Sequence, residues 1–305
     1  MRASVLHRYG GPEELTVAEL PRPVPGPGQI LVRAAASAVN PVDIEVRSGQ
    51  AAAHVSHPFP MVLGWDLSGT VEECGSGVTR FAVGDPVVAM SAQMATGVGT
   101  HAEYVALDAA LAAPAPRGVD LVEAAALPLA GLTADQALEL LAPEPGSTLL
   151  VTGAVGAVGG FAVQLAAERG VKVLALARPS DVEAAKALGA HEVFTAERPV
   201  PHGAADLLLE TAGQPGAVDG VRDGGRAVSI VPTAAPKAER GIDVRMSFVE
   251  QDGDRLARLS RLVSESVLTL RVGEVFSLAG VAEAHRRLAA GGSRGKLLIA
   301  PDRAV

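Results

Sequence analysis

The chain of 305 residues holds a single cysteine, Cys74. No intrachain disulfide can form, so the fold does not depend on an oxidising compartment. A cysteine-rich zinc site is excluded for the same reason. Aromatic side chains are nearly as scarce: one tryptophan, two tyrosines and six phenylalanines, 3 % of the residues. A nucleic-acid surface built on base stacking does not fit so few rings. The formal net charge of -8 argues against a polyanion partner of any kind. No apolar run reaches membrane-spanning length, since the best candidate, 124–134, meets Asp135. Met1 to Gly11 carry Arg2 and Arg8 but no apolar segment of the kind a secretory signal needs. The expectation is a cytoplasmic protein with neither nucleic-acid nor membrane partners.

What is present is a globular composition, 48 % hydrophobic and 20 % charged, at a length that suggests about two domains. With so few rings the core must be built from Ala, Val and Leu. Up to about residue 120 the chain is dense in turn signals, with Pro21, Pro23, Pro25, Gly26, Pro27 and Gly28 in one stretch and Gly75, Gly77, Gly84, Asp85 and Pro86 in another. Short β-type runs lie between them at 30–34, 67–72, 86–90 and 102–107, which predicts a mostly β unit. Beyond 120 the texture changes. Helical patterns at 121–142 (broken at Pro128), 161–169 and 181–188 alternate with apolar strands at 148–151, 171–177, 207–209 and 227–231. Such alternation predicts a parallel sheet with right-handed crossovers. Ser180 and Glu183 are spaced as a capping box for the 181–188 helix, and Gly189 as its terminator. A further helix is expected at 255–264 and a final strand at 296–300.

The sharpest local signal runs from Thr148 to Gly160, with Gly153, Gly156 and Gly159 between a strand and a helix. A pyrophosphate on a helix N-terminus needs a tight turn, close backbone approach and unblocked amides, which is what glycines at these places allow. The spacing is GxxGxxG. A close-packed βα turn is the plain alternative, but strand and helix flank the glycines as nucleotide binding requires. The contact set would be Gly153, Ala154, Gly156, Ala157, Val158 and Gly159. A ribose 2′-hydroxyl is met by an acid about 20 residues past the glycines; here that place is Arg178, followed by Pro179 and Ser180. Arginine suits a 2′-phosphate and a carboxylate would repel it, so the expected cofactor is NADPH. Arg178 could instead be a solvated cation, and Ser180 a helix cap.

Several motifs stand in order along the chain: Asn40-Pro41-Val42-Asp43, Gly64-Trp65-Asp66-Leu67-Ser68-Gly69, Gly75-Ser76-Gly77-Val78 with Phe81 and Val83-Gly84-Asp85, 99–105, 128–134, the glycine turn, and Arg294-Gly295-Lys296-Leu297-Leu298. This set resembles the medium-chain dehydrogenase/reductase superfamily, and within it the zinc-free quinone oxidoreductase (zeta-crystallin-like) branch. The resemblance implies an α/β protein: a GroES-like β-rich catalytic domain over 1–120, completed by 270–305, and a Rossmann doubly wound parallel-sheet cofactor domain over 121–269. It implies an active site in the cleft between them and a homodimer or tetramer joined through the cofactor domains, with the homodimer as the expectation.

Carried over residue by residue, the resemblance puts Asn40 near the nicotinamide and ribose, Asp43 in the same motif, and the Thr133 hydroxyl near the nicotinamide or diphosphate. Gly213, Val231 and Lys296 match edges of the cofactor pocket. Each has a structural alternative: a turn residue for Asn40, a helix cap for Asp43, a buried helix threonine for Thr133. Asp66 reads as architectural. No metal is expected, because Asn40-Pro41-Val42-Asp43 stands where the zinc-dependent branch has its ligand cysteine, and His54 and His57 read as a solvated loop. Two tyrosines common in the branch are missing, near Gln50 and near Ala196, and the pocket reads as less aromatic than usual. The Ser91–Gly99 loop and the Gln50–Pro60 segment would shape it. The resulting expectation is a zinc-independent, NADPH-dependent transfer of hydride to a quinone or α,β-unsaturated carbonyl. The alternatives are a cofactor-binding regulatory protein without turnover and a biosynthetic enoyl or ketone reductase.

Overall fold

The computed structural model describes residues 1–55 and 57–303. Ser56, within the segment expected to shape the pocket, and Ala304 and Val305 lie outside the described residues. The chain divides into two compact units, Met1–Leu129 with Gln251–Val305, and Ala130–Glu250.

In the first unit β1 (Arg2–Leu6) and β2 (Leu15–Glu19) lead to β3 (Gln29–Val39), after which α1 (Pro41–Ser48) and the short β4 (Met61–Val62) follow. Next come β5 (Asp66–Cys74), β6 (Pro86–Met90), the four-residue α2 (Gln93–Thr96), β7 (Tyr104–Asp108), β8 (Ala112–Pro114) and α3 (Leu121–Ala124). Helix α4 (Pro128–Leu141) straddles the division after Leu129. The expected run 30–34 is thus only the start of an 11-residue strand. Ala34, Ala35, Ala36 and Ala38 show no alternation to read, but the strand pairs antiparallel with β5 on one edge and with β7 on the other. Its core holds Ile30, Val32, Leu67, Val87, Val105 and Leu107, all aliphatic.

The second unit is a six-stranded parallel sheet. Its strands are β9 (Thr148–Thr152), β10 (Lys172–Leu176), β11 (Glu192–Phe194), β12 (Ala205–Glu210), β13 (Val221–Ser229) and β14 (Asp243–Met246), in the order β11-β10-β9-β12-β13-β14. Helices α5 (Ala157–Glu168) and α6 (Val182–Ala187) supply the first two crossovers. This is the doubly wound order in which ligands meet the carboxyl ends of the strands where the order reverses, here between β9 and β12. Strands covered on both faces read as continuous apolar runs rather than alternating ones. Leu174, Leu150, Leu208, Ala227 and Val244 form one row across five strands. The β12–β13 crossover is trimmed to a 3-10 turn, Pro215–Gly220.

The chain then returns to the first unit through α7 (Gly253–Ser264), β15 (Val272–Ser277), α8 (Val281–Ala289) and β16 (Lys296–Ala300). Strand β16 pairs antiparallel with β3 and parallel with β15. The expected domain limits, 120 and 269, are therefore displaced to 129 and 250. The reason is α7, which belongs to the first unit: Ser260 Oγ donates to the Pro114 carbonyl at 2.7 Å, and a Cβ on Gly253 would lie 2.1 Å from the Ala110 carbonyl oxygen. The capping box expected at Ser180 and Glu183 does not form. A 3-10 turn, Pro179–Asp181, precedes α6, and Asp181 stands at the cap position. Gly189, at φ +106°, does end the helix region. Among the described residues no helix is long and apolar enough to cross a membrane.

Leu150 is fully buried in the row just described, between Leu174 and Leu208. Leu150→Ala is expected to lower stability by about 2–5 kcal/mol, read from the midpoint shift of denaturant unfolding at unchanged slope.

Candidate active site

In the first unit Asn40, Asp43 and Lys296 come together, and Asp66 is at their centre. Asn40 follows β3 and is the residue before α1; Pro41 opens the helix and its fixed φ suits that position. Asp43, in the first turn, accepts from the Asn40 backbone amide at 2.8 Å and from Gly64 N at 3.0 Å. The Asn40 side-chain amide donates to the Ala38 carbonyl at 3.1 Å and to Asp66 Oδ2 at 2.8 Å. Lys296 Nζ donates to Asp66 Oδ2 at 2.9 Å and to Asn40 Oδ1. Asp66 Oδ1 accepts from Leu129 N at 2.6 Å, in the first turn of α4. All four side chains are buried, Asp66 completely. Asn40 and Lys296, read from the resemblance as facing the cofactor, direct their polar atoms at one another and at Asp66. The residue read as architectural holds the set together.

Burial pushes the Asp43 carboxyl up to about 7, with nearby Asp66 adding to the rise and the two backbone donors and Lys296 opposing it. Two histidines lie in the same unit. His101, fully buried, has Nδ1 2.9 Å from Ser37 Oγ, and His285 has Nδ1 3.3 Å from Arg47 Nη1. Burial holds His101 down to about 3, helped by Lys296, and His285 to about 2, helped by His101 and Arg47. His54 is exposed as expected, whereas His57 is half-buried with Nε2 3.3 Å from the Ala95 carbonyl oxygen and its ring against Gly97. Thus His57 joins the two segments expected to shape the pocket. Tyr9 also alters the expected picture: its ring lies edge-on to Phe59 at 4.9 Å and 3.2 Å from where a Cβ on Gly49 would stand. An aromatic from the N-terminal loop thereby flanks the segment that lacks the branch's tyrosine.

In the second unit the carboxyl ends of β9, β10, β12 and β13 carry the other candidates. Gly153 adopts φ +55°, a conformation few side chains tolerate. A Cβ on Gly159 would sit 2.2 Å from the Gly153 carbonyl oxygen, so the backbones of turn and helix meet there and only glycine fits. Helix α5 starts after Gly156 with no side-chain cap, and within the turn Gly156 N donates to the Gly153 carbonyl at 2.7 Å and Ala154 N to the Leu176 carbonyl at 3.4 Å. A dinucleotide pyrophosphate fits this cradle. Thr133 is buried in α4. Gly213 and Val231 follow β12 and β13, and a carboxylate the sequence reading missed organises both loops. Glu210, fully buried at the end of β12, accepts from Ala212 N at 2.8 Å, Gln214 N at 2.9 Å, Thr152 Oγ1 at 3.1 Å and Ser229 Oγ at 3.1 Å. Its signal was available: an acid closing an apolar strand run is out of place unless it serves the loop beyond.

Arg178 stands at the end of β10, but not without an acid. Its Nε donates to Asp181 Oδ2 at 2.8 Å, and Ser180 Oγ contacts the same carboxylate at 3.4 Å. Asp181 is buried, while the Arg178 side chain stays 56 % exposed. The expectation of an acid-free arginine is corrected accordingly: one face of the guanidinium is held by the turn, and the rest faces outward.

Residues 26–117 match the alcohol dehydrogenase GroES-like domain family and residues 185–299 the zinc-binding dehydrogenase family. The chain is 31 % identical over 317 residues to the NADPH-dependent alkenal/one oxidoreductase, chloroplastic, of Arabidopsis thaliana, covering 99 % of this chain and 80 % of that protein. It is 37 % identical over 212 residues to the chloroplast envelope quinone oxidoreductase homolog of the same plant, which spans 67 % of this chain and only 63 % of that protein. Among solved structures, the quinone oxidoreductase from Coxiella burnetii superposes with a TM-score of 0.89 at 28 % identity, covering 98 % of this chain and 99 % of that one. Among the described residues no group of three or more His, Cys, Asp or Glu side chains is placed to hold a metal, and Asn40 is engaged with Asp66 and Lys296.

The buried titrating groups set a pH dependence. Unfolded, the two histidines take up protons below about pH 6.5, whereas folded they stay neutral to about pH 3; acid therefore favours unfolding through both. Asp43 works the other way, keeping its proton in the fold up to about pH 7, so its contribution declines as pH rises from about 4. Two groups outweigh one, and these sites give net destabilisation as pH falls from 6.5 to 4. His285→Phe should make that slope shallower by up to about 1.4 kcal/mol per pH unit, measured by denaturant unfolding across pH 4 to 7.

Proposed function

Since this chain belongs to the medium-chain dehydrogenase/reductase superfamily, in its quinone oxidoreductase branch, we propose that it is an NADPH-dependent, zinc-independent reductase of quinones or α,β-unsaturated carbonyls. The observation that carries the cofactor assignment is the glycine cradle, where a single Cβ at Gly159 would strike the Gly153 carbonyl. The backbone of Gly153, Ala154, Gly156, Ala157, Val158 and Gly159 would hold the pyrophosphate. The loops of Gly213 and Val231, braced by Glu210, would line its flank. The outward part of the Arg178 guanidinium, with Ser180, would take the 2′-phosphate, and Asp181 keeps that guanidinium at the end of β10.

When bound, the reduced nicotinamide supplies hydride to the acceptor, and a proton from solvent completes the reduction. Without a metal as Lewis acid, orientation and hydrogen bonding carry the rate enhancement. Thr133 is the polar group of α4 proposed to touch the cofactor. Asn40, Asp43 and Lys296 act as positioning residues, because their hydrogen bonds lock the end of β3, the start of α1 and the return strand β16. Phe248 is 70 % exposed just beyond the edge strand β14 and supports self-association of two copies through that edge.

NADPH oxidation with a panel of small quinones and enones is expected to exceed background. Cofactor binding with no turnover on any of them would instead favour a regulatory role. Arg178→Ala should weaken NADPH by roughly tenfold to a hundredfold, the worth of a charge-assisted hydrogen bond, while leaving NADH nearly unchanged. Equal losses for both cofactors would remove the 2′-phosphate assignment.

A further inference from the structure

Strand β3 carries alanine at 34, 35, 36 and 38, and Ala300 ends β16, the strand paired with it. Side chains this small do not fill the space bounded by β3, α3 and the end of β16. A crevice of about 510 Å³ remains there, lined wholly by residues of the first unit. Its size falls within the range of pockets for small ligands, about 300–1,000 Å³. The crevice coincides with a break in the sheet. Pairing with β7 runs as far as Arg33, pairing with β16 begins at Ser37, and the register with β5 passes from Ala34 to Ala36. Ala35 is matched to no residue in any of the three ladders, and it lines the crevice. A bulge of this kind leaves a residue unpaired and bends the strand.

The lining combines apolar groups with charges of both signs. Val122 and Val275 pack on a cluster that includes Ala36, Ala38 and Leu298, yet both stay only partly buried, facing the crevice. Arg33 and Thr70 stand directly opposite one another in the β3–β5 ladder, which places their side chains side by side on one face. The acids nearest the Arg33 guanidinium, Glu72 and Asp302, are 3.7 and 3.8 Å away, beyond hydrogen-bond reach. Among the described residues the Thr70 hydroxyl has no hydrogen-bond partner. A planar guanidinium beside a hydroxyl offers a carboxylate two N–H donors and an O–H. The opposite sign comes from α3. Glu123 lines the same crevice and, among the described residues, its carboxylate has neither hydrogen bond nor ion pair. Asp120, by contrast, is engaged by the Val122 amide at 2.8 Å. An anion alone fits poorly, since Asp120, Glu123 and Asp302 outnumber Arg33 and Arg303 around the crevice. A cation alone leaves the Arg33 guanidinium unanswered.

We propose that this crevice binds a small aliphatic amino acid, a zwitterion with an apolar body. Its carboxylate lies on Arg33 and Thr70, its ammonium on Glu123, and its hydrocarbon on Val122 and Val275. The crevice shares no residue with the glycine cradle or with Asn40, Asp43, Asp66 and Lys296, so the inference goes beyond the reductase reading and does not depend on it. Equilibrium dialysis of the full chain against labelled leucine and labelled 6-aminohexanoate tests it. The two are isomers that differ in the separation of their charges. Hexanoate, which lacks the ammonium, and hexylamine, which lacks the carboxylate, serve as competitors.

Saturable binding of at least one isomer is expected, and the stronger of the two reports the spacing of the charged groups. Hexanoate and hexylamine should each compete about tenfold or more weakly, and Arg33→Gln and Glu123→Gln should each lower the affinity of the better isomer by about tenfold or more, the worth of a charge-assisted hydrogen bond. Both side chains are exposed, so each variant keeps the unfolding midpoint of the unmodified protein when no ligand is present. NADPH should leave the bound amino acid in place. No saturable binding of either isomer overturns the proposal, and the unmodified protein alone decides that outcome. A competitor with a single charge that binds as strongly as the isomer, full affinity in either variant, or competitive displacement by NADPH overturns it as well.

Discussion

Lys296 is an ammonium group at 5 % exposure, and a charge so placed must be answered at contact distance. Asp66 answers it at 2.9 Å, and each partner is then held by others: Lys296 by Asn40, and Asp66 by Asn40 and the Leu129 amide. Four segments far apart in sequence meet in this pair. They are the end of β3, the first residue of β5, the start of α4 and the first residue of β16. The last matters most, since β16 is the strand by which the returning chain joins β3 of the first unit. The β3–β16 pairing gives backbone hydrogen bonds, but those alone do not fix which residue of the final strand meets which of β3. A buried lysine that can be satisfied in only one place does.

The second unit depends on a different constraint, the approach of backbone to backbone. Gly159 and Gly153 touch so closely that no side chain fits, and the loops after β12 and β13 are braced from below by one buried carboxylate, Glu210. The carboxyl end of the sheet is thus tightly packed at the glycine turn, while the crossover from β12 to β13 is the short 3-10 turn Pro215–Gly220.

Much of this was legible in the sequence. The strands at 86–90 and 296–300 appear with the expected limits, and the helix break at Pro128 is where the proline demands it. The glycine turn lies between strand and helix as read. What escaped was long-range. Alanine-rich β3 shows no period, because its pairing comes from β5, β7 and β16 rather than from its own pattern. Local spacing suggested a Ser180 cap, yet a 3-10 turn intervened and placed Asp181 on Arg178. The domain limits slipped because a helix such as α7 announces its apolar face but not its partner. Asp66, read as architectural, accepts hydrogen bonds from Asn40 and Lys296, the two residues that the resemblance set beside the cofactor, a long-range pairing that no local pattern announces.

A double-mutant cycle tests the role given to the buried pair most directly. Unfolding free energies of Lys296→Met, Asp66→Asn and the double variant are compared with that of the unmodified protein. Each single change strands a buried polar partner, so the two should couple by more than about 2 kcal/mol, the double variant being far less damaged than the sum. Additive losses, agreeing within about 0.5 kcal/mol, would show that the pair does not hold the return strand in place.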